Sequence, residues 1–303
     1  MEKYNELQRE ILKLKKEKNA LILAHYYVPV EVQAVADAVC DSFAMAKLAK
    51  AAKEDVIVIC GVRFMGESAK LLSPDKTVLL PAGDAGCPMA DTITAKDVLH
   101  LKEKYPEAAV VCYVNSSAAV KAVSTVCCTS SSALKVVRSL PEKEIIFIPD
   151  KNLGTFVAEN VPEKTIHLYD GCCPIHNRVT VEEVLAVKAR HPEAVFAVHP
   201  ECCKGVVALA DFVGSTAEII DFVKASDAGE FIIGTECEIS RLLSIECPDK
   251  KFYNASEGFI CHDMKKVELS AVRDCLKNGT YEVCLTQNEI EGAENSLDRM
   301  VRI

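Results

Sequence analysis

Three cysteines, Cys87, Cys173 and Cys261, recur along the chain at intervals of 86 and 88 residues. Each of them follows a segment with the apolar pattern of a strand and precedes a segment with the amphipathic period of a helix. If three copies of one unit surround a threefold axis, each copy can give one thiolate to a common metal centre. The fourth side of that centre would stay open to a substrate, which is typical of an active site and not of a structural metal site.

Two kinds of metal centre are compatible with these ligands. Structural zinc uses four Cys or His ligands, usually in close sequence pairs, and the sequence contains no C-x-x-C pair. A [4Fe-4S] cluster normally takes four cysteines, so with three of them one iron keeps an open site that can act as a Lewis acid. The spacing favours the cluster. His176 and His262 lie close to Cys173 and Cys261, so a mixed Cys/His zinc site is the alternative.

A second marker has the same period. The strand-like segments LILAHYY, VVCYVNS and VFAVHPE end in polar residues, and a hydroxyl residue follows 17 positions later, at the start of a helix-like segment. Strand C-termini and helix N-termini are where ligands collect in α/β proteins. A second polar residue lies two positions after each of these strand-end residues. Because side chains alternate along a strand, both members of such a pair would point to the same face. The strand ends are His25 with Tyr27, Tyr113 with Asn115, and His199 with Glu201, and the hydroxyl residues are Ser42, Ser130 and Thr216.

Continuous apolar runs bounded by helices predict parallel strands that are covered on both faces. These runs are VIVICG, IIFIPD and FIIGTE, followed by TVLLP, TIHLYD and KFYNA. We therefore expect an α/β protein of three repeated three-layer αβα domains, with parallel sheets around a pseudo-threefold axis. The predicted domains are residues 1–86, 87–172 and 173–261, and the C-terminal segment 262–303 completes the first.

The composition limits the possible partners. Half of the 303 residues are apolar, so the chain can bury sizeable cores. The net charge is −9 and no basic stripe occurs, so we expect small-molecule ligands and no nucleic acid. The apolar runs are shorter than a membrane span, and residues 1–18 are charged, unlike a signal peptide. We expect a cytoplasmic protein without membrane association, in which fifteen cysteines stay reduced.

The motifs together resemble those of quinolinate synthase, the iron-sulfur enzyme of bacterial and archaeal de novo NAD synthesis. The resemblance extends over essentially the whole chain. It rests on AHYY, DSF, GDAGCPMAD, YVNSSA, TSSSA, CPIH, HPEC, VGST, GTE and CHDMKK.

The resemblance implies a [4Fe-4S] cluster on Cys87, Cys173 and Cys261. It also implies a condensation of iminosuccinate (iminoaspartate) with dihydroxyacetone phosphate to quinolinate, phosphate and water, in which the open iron acts as a Lewis acid in the dehydration. A transient contact with the enzyme that supplies iminosuccinate is a further expectation. Tyr27, Glu201 and His199 would be catalytic. The substrate-binding residues would be His25, Ser42, Tyr113, Val114, Asn115, Ser130, His176, His199, Pro200, Glu201 and Thr216.

Three alternatives stay open at this point. Cys172 is a neighbouring candidate for the second ligand, although Cys173 matches the family spacing to His176 and has the same Cys-Pro sequel as Cys87. A hydro-lyase could use the same open iron without condensation. A cysteine-rich sensor that binds a dicarboxylate would need neither Tyr27 nor Glu201.

Overall fold

The computed structural model describes residues 4–302, so residues 1–3 and 303, at the two ends of the predicted first domain, lie outside the described part. The first unit alternates helices and strands, and a capping box on Asn5 begins its first helix. Its elements are α1 (Glu6–Glu17), β1 (Ala20–His25), α2 (Val30–Gln33), β2 (Ala38–Cys40), α3 (Ser42–Ala51), β3 (Val56–Cys60), α4 (Arg63–Leu72) and β4 (Thr77–Leu79).

The second unit begins with a short 3-10 helix, Ala90–Thr92, three residues after Cys87. A capping box between Thr94 and Asp97 then starts its first α-helix. Its elements are α5 (Ala95–Lys104), β5 (Ala109–Tyr113), α6 (Ala118–Ala122), β6 (Val126–Cys128), α7 (Ala133–Ser139), β7 (Glu144–Ile148), α8 (Lys151–Asn160) and β8 (Thr165–Leu168).

The third unit repeats this order. The capping box of its long first helix, between Thr180 and Glu183, lies 86 residues after that of the second unit. Its elements are α9 (Pro174–Asn177), α10 (Val181–Arg190), β9 (Val195–Val198), α11 (Lys204–Val207), β10 (Phe212–Val213), α12 (Thr216–Ala225), β11 (Glu230–Gly234), α13 (Glu238–Glu246) and β12 (Lys251–Asn254).

Each unit forms one four-stranded parallel sheet, and the three sheets have the same strand order: β2-β1-β3-β4, β6-β5-β7-β8 and β10-β9-β11-β12. The registers also repeat, because Leu23 pairs with Ala38 and Val111 pairs with Val126 at matched positions. The predicted α/β architecture of three repeated three-layer domains is confirmed.

The third sheet shows how the layers are built. Phe196 and Ile232 pack in a core cluster with α10 and α11 on one face, and Phe231 and Ile233 pack in a second cluster with α12 and α13 on the other. All four side chains are fully buried. Burial on both faces explains why these strands read as continuous apolar runs in the sequence.

Three helices follow the last strand: α14 (His262–Lys265), α15 (Leu269–Asn278) and α16 (Gln287–Arg302). Helix α15 packs on α1, α2 and β3 of the first unit, whereas α16 packs mainly on α6 and β6 of the second and also touches α3 and α4 of the first. The C-terminal segment therefore covers the junction of two units. No helix within residues 4–302 is long and apolar enough to cross a membrane.

Candidate active site

A cavity of about 190 Å³ lies where the three units meet, and all three cysteines of the repeat line it. Most of the predicted site residues line it as well. The first unit supplies His25, Tyr27 and Ser42, the second Tyr113, Asn115 and Ser130, and the third His176, His199, Glu201 and Thr216. Cys87, Cys173 and Cys261 follow the last strands of the first, second and third sheets, β4, β8 and β12.

Val114 and Pro200 are placed differently. Both are buried, and neither lines the cavity. The amide N–H of Val114 donates to the carbonyl of Cys128 at 2.8 Å, which continues the pairing between the first two strands of its sheet. This hydrogen bond fixes the backbone between Tyr113 and Asn115.

The second residue of each strand-end pair lies beyond the strand. Strand β1 ends at His25 and β5 at Tyr113, so Tyr27 and Asn115 are in the turns that follow. The backbone N–H of Tyr27 donates to Nδ1 of His25 at 3.2 Å, and the N–H of Glu201 donates to Nδ1 of His199 at 3.3 Å. In the first and third units a shared turn, and not strand alternation, therefore brings both members of the pair to the cavity.

These turns also fix the histidine tautomers. Because Nδ1 of His25 and of His199 accepts a backbone N–H, the ring proton is on Nε2. Burial lowers the pKa of His25 to about 3 and that of His199 to about 4. Both rings are therefore neutral at pH 7, and each retains one N–H that can donate to a ligand.

A chain of hydrogen bonds connects Tyr27 to Glu201. The hydroxyl oxygen of Tyr27 lies 2.7 Å from Oγ1 of Thr216 and 2.8 Å from Oγ1 of Thr235. Thr235 Oγ1 is in turn 3.0 Å from Nε2 of His176. Nδ1 of His176 lies 2.9 Å from Oε2 of Glu201. The chain thus joins side chains of the first and third units.

Glu201 is held on both oxygens, because the Tyr113 hydroxyl donates to its Oε1 at 2.6 Å. Burial alone would raise the pKa of this carboxyl, but the neighbouring imidazoles of His176 and His199 and the hydrogen bonds from His176 and Tyr113 outweigh burial and hold it below its ordinary value. Burial and the Glu201 charge raise the pKa of the Tyr27 hydroxyl well above its usual range. Glu201 is thus an acceptor and Tyr27 a protonated donor at pH 7.

Anionic groups would be received here by neutral donors. Among residues 4–302, no lysine or arginine lines the cavity, whereas Asp41, Glu201, Glu236 and Asp263 do. Helices α3 and α12, of ten residues each, begin at Ser42 and Thr216, and their N-terminal amides carry partial positive charge. Ser130 differs, since it lies two residues before the N-cap Ser132 of α7.

Asn115 provides an independent sign of a ligand. Its Oδ1 atom is buried at the cavity wall and has no hydrogen-bond partner among the described residues. Buried polar atoms in native proteins are almost always paired, so an unpaired one that faces a cavity indicates a ligand group that completes the pairing.

The three cysteines occupy similar local structures. Cys173 and Cys261 are the N-cap residues of α9 and α14, and Cys87 precedes the 3-10 helix. Burial raises the pKa of Cys87 to about 12 and that of Cys261 to about 11, and it raises the pKa of Cys173 as well. Backbone N–H groups that donate to the sulfurs oppose this rise, from Met89 and Ala90, from Ile175 and His176, and from Met264.

This donor set suits a soft metal centre. Thiolates select zinc, copper(I) and iron-sulfur clusters, and a buried thiol becomes a thiolate when a cation beside it replaces its proton. Cys173 lines the cavity and Cys172 does not, which favours Cys173 as the second ligand. Cys173, His176 and Glu201 also form a group whose ligand atoms lie within 4.8 Å of one another. That group is compatible with a mixed metal site.

Two residues of this region have no role assigned from the sequence. Thr235 and Glu236 follow β11, and the sequence pattern gave only the GTE motif that contains them. Both are fully buried. The signal that could have found them is their position, because polar residues at the carboxyl end of a central parallel strand face the ligand side of an α/β sheet.

The fold and the cavity define a class: a three-unit α/β protein whose central site is lined by three cysteines, one after the last strand of each sheet. Comparison with known proteins gives the family. The profile of the family described as "Quinolinate synthetase A protein" matches residues 9–302, and the chain belongs to this family.

Curated relatives agree over nearly the whole length. The chain is 55% identical over 297 residues to a protein named quinolinate synthase from Caldicellulosiruptor saccharolyticus, which covers 98% of both chains. It is 50% identical over 297 residues to quinolinate synthase 2 of Methanosarcina acetivorans, which covers 98% of this chain and 96% of the relative. The quinolinate synthase of Clostridioides difficile is 48% identical over 298 residues, 98% of both chains.

Proposed function

We propose that this protein is an enzyme that condenses iminosuccinate with dihydroxyacetone phosphate to form quinolinate, phosphate and water, as a step of NAD biosynthesis in the cytoplasm. The observation that carries the proposal is the convergence of Cys87, Cys173 and Cys261 on one cavity that is also lined by Tyr27 and the buried Glu201. Membership of the quinolinate synthetase A family supports the same activity.

The substrate in this proposal is a dicarboxylate, and the cavity offers matching donors. The hydroxyls of Ser42, Ser130 and Thr216 and the N-termini of α3 and α12 would hold carboxylate oxygens. The Nε2–H groups of His25 and His199 would donate to oxygens of the bound molecules. The amide oxygen of Asn115 has no hydrogen-bond partner within residues 4–302 and would accept from an imine N–H or a hydroxyl.

Proton transfer is assigned to the two ends of the hydrogen-bonded chain. Glu201, ionised and held by Tyr113 and His176, would accept a proton from carbon or nitrogen of the substrate. Tyr27, protonated and held by Thr216 and Thr235, would donate to a departing or enolic oxygen. His199, beside Glu201, would orient the substrate oxygen that reacts.

A [4Fe-4S] cluster fits the donor set of Cys87, Cys173 and Cys261. When bound, it would supply an open iron that acts as a Lewis acid on a hydroxyl or carboxylate oxygen. The protein contributes three partly buried thiols with N–H donors on their sulfurs. It also contributes walls such as Phe64, which is almost fully buried, that limit water around the metal.

The test is anaerobic purification with measurement of iron, sulfide and quinolinate formation, in wild type and in the variants Cys87→Ala, Cys172→Ala, Cys173→Ala and Cys261→Ala. We expect a cluster and quinolinate in wild type and Cys172→Ala, and loss of both in the other three. Stoichiometric zinc without sulfide would overturn the cofactor. A full cluster in Cys173→Ala with loss in Cys172→Ala would overturn the ligand assignment.

Omission of each substrate separates the competing activities. The proposed enzyme needs both iminosuccinate and dihydroxyacetone phosphate, whereas a hydro-lyase would turn over a hydroxy acid alone. A sensor would bind a dicarboxylate without forming product. A transient complex with the enzyme that supplies iminosuccinate is part of the proposal, and faster quinolinate formation when the two enzymes are mixed than when iminosuccinate must diffuse through a dialysis membrane would support it.

A further inference from the structure

Two buried carboxylates occupy equivalent positions in the second and third units. Asp150 comes two residues after the end of β7, and Glu236 comes two residues after the end of β11. They are 86 residues apart, the same interval as between Cys87 and Cys173. Both have an exposed fraction of 0%.

Both carboxylates make the same two kinds of contact. Asp150 Oδ1 accepts the N–H of Leu153 at 2.7 Å, and its Oδ2 accepts the N–H of Cys173 at 3.0 Å. Glu236 Oε2 accepts the N–H of Glu238 at 2.9 Å, and its Oε1 accepts the N–H of Cys261 at 3.2 Å. In each case one oxygen fixes the start of the following helix, and the other fixes the backbone of a cavity cysteine.

The contact to the cysteine backbone determines where the sulfur points. Cys173 and Cys261 have extended backbones immediately before α9 and α14, and the first-turn amides of those helices donate to the sulfurs. A carboxylate that holds the cysteine N–H keeps that residue in its N-cap position. Such support of ligand residues by outer hydrogen bonds orients metal ligands in general.

Glu236 has a second connection across units. The ammonium of Lys265, in α14, lies 2.9 Å from Glu236 Oε1 and donates to the carbonyl oxygen of Tyr27 at 2.7 Å. The Lys265 ammonium therefore links Glu236, which holds the Cys261 backbone, to the turn that carries Tyr27. The pairing with Lys265 compensates the cost of burying the Glu236 carboxylate.

The first unit has no carboxylate at the equivalent position. The position equivalent to Asp150 is Val62, 88 residues earlier, whose side chain has no hydrogen-bond acceptor. The loop of Cys87 is instead contacted by Asp263 of α14, whose Oδ1 accepts the N–H of Gly86 at 3.3 Å. The three cysteines are thus supported unequally.

We propose that Asp150 and Glu236 are positioning residues that hold the backbones of Cys173 and Cys261 ready for the metal centre. The proposal rests on the proposed function, because it assumes that these cysteines bind the cluster. Glu236 accepts from the sulfur of Cys237, but its contact to Cys261 is to the backbone N–H, as is that of Asp150 to Cys173. Both carboxylates therefore act through the cysteine amides.

The test uses the near-isosteric variants Asp150→Asn and Glu236→Gln. Each carboxylate accepts two backbone N–H groups. An amide in its place has one oxygen and one NH₂ group, so it keeps the shape of the side chain but can accept only one of the two hydrogen bonds. Thr180→Ala is the matched control, because it removes the N-cap side chain of α10 and contacts none of the three cysteines. Purification is anaerobic, and circular dichroism checks the fold of each variant.

The first readout is the cluster content and the rate at which the cluster is lost in air. Both are measured from iron, sulfide and visible absorbance. We expect bleaching several-fold faster in each variant than in wild type, on the scale of about 1 kcal/mol for the loss of one buried hydrogen bond. Bleaching at the wild-type rate, or acceleration equal to that of Thr180→Ala, would overturn the proposal. Absence of a cluster from wild type would instead overturn the proposed function.

The second readout needs no cluster. After the metal is removed, the cysteines are alkylated under native conditions and their rates are compared by peptide mapping. Asp150→Asn should change the rate at Cys173 several-fold and leave Cys87 unchanged, and Glu236→Gln should do the same at Cys261. Equal rates in wild type and variants, or equal changes at all three cysteines, would contradict the assignment.

Discussion

Nδ1 of His176 lies 2.9 Å from Oε2 of Glu201, and both side chains are almost completely buried. An ionised carboxylate at such depth needs donors, and the imidazole and the Tyr113 hydroxyl supply them. The pair lies next to Cys173, whose sulfur is 3.2 Å from the same imidazole nitrogen. The acid/base group of the proposed reaction and the proposed metal site are therefore adjacent.

Replacement of this carboxylate should stop catalysis without preventing binding. Glu201→Gln keeps the shape of the side chain and removes its basicity, so we expect kcat to fall by about a hundredfold or more, as is usual for a general base. Binding of a dicarboxylate, measured by calorimetry, should persist. Glu193→Gln, on an exposed residue eight positions earlier, is the control. Undiminished quinolinate formation in Glu201→Gln would exclude Glu201 as the base.

The hydroxyl of Thr235 should matter for rate although it does not line the cavity. Thr235→Val removes the atom that lies between Tyr27 and His176 Nε2 and leaves the volume unchanged. We expect kcat to fall about tenfold, the scale of one unpaired buried polar group, with little change in KM. Thr235→Ser restores a hydroxyl and should recover most of the loss. Equal losses in both variants would show that the methyl group, and not the hydroxyl, is what matters.

The repeat and most of the site could be predicted because their signals are local. The spacing of Cys87, Cys173 and Cys261 and the offset of 17 between strand-end and hydroxyl residues are read directly from the chain. Both depend on one unit being used three times. In the structure the three sheets have the same strand order, and these residues line one cavity.

The residues that escaped prediction have signals that are ambiguous in sequence. Asp150 before a helix looks like an ordinary N-cap, which it is, and nothing local shows that its second oxygen holds Cys173. Similarly, the amphipathic pattern of α16 predicts a buried face but not its partner, which is mostly α6 of the second unit. Contacts between distant segments depend on the assembled fold.

The neutral histidines of the cavity should make the protein sensitive to acid. The folded-state pKa of His25 is about 3 and that of His199 about 4, both below the ordinary 6.5, so the unfolded chain binds protons first as pH falls. Stability is full above about pH 6.5 and is lost as pH falls towards 4, at up to about 2 kcal/mol per histidine between pH 6.5 and 5.

Urea unfolding of the anaerobic protein at several pH values measures this dependence. His25→Asn cannot titrate, so the difference in unfolding free energy between pH 7 and 5 should be smaller in this variant than in wild type. His100→Asn, at a side chain that is 79% exposed, serves as control and should keep the wild-type slope. Identical slopes in all three proteins would mean that His25 is not neutral in the folded state.

The contact between α16 and α6 should be intolerant of even one added methyl group. A Cβ atom at Gly292 of α16 would lie 2.8 Å from Cβ of Ala122 and 3.1 Å from its carbonyl oxygen. Alanine normally stabilises a helix interior relative to glycine by about 1 kcal/mol. Here the clash with backbone atoms reverses the sign, and we expect Gly292→Ala to lower the free energy of unfolding by about 1–3 kcal/mol. Gly229→Ala, where no atom of residues 4–302 lies within 4 Å of the added Cβ, is the control. Thermal unfolding of the two variants decides the point, since a higher midpoint for Gly292→Ala would show that α16 does not pack on α6 this closely.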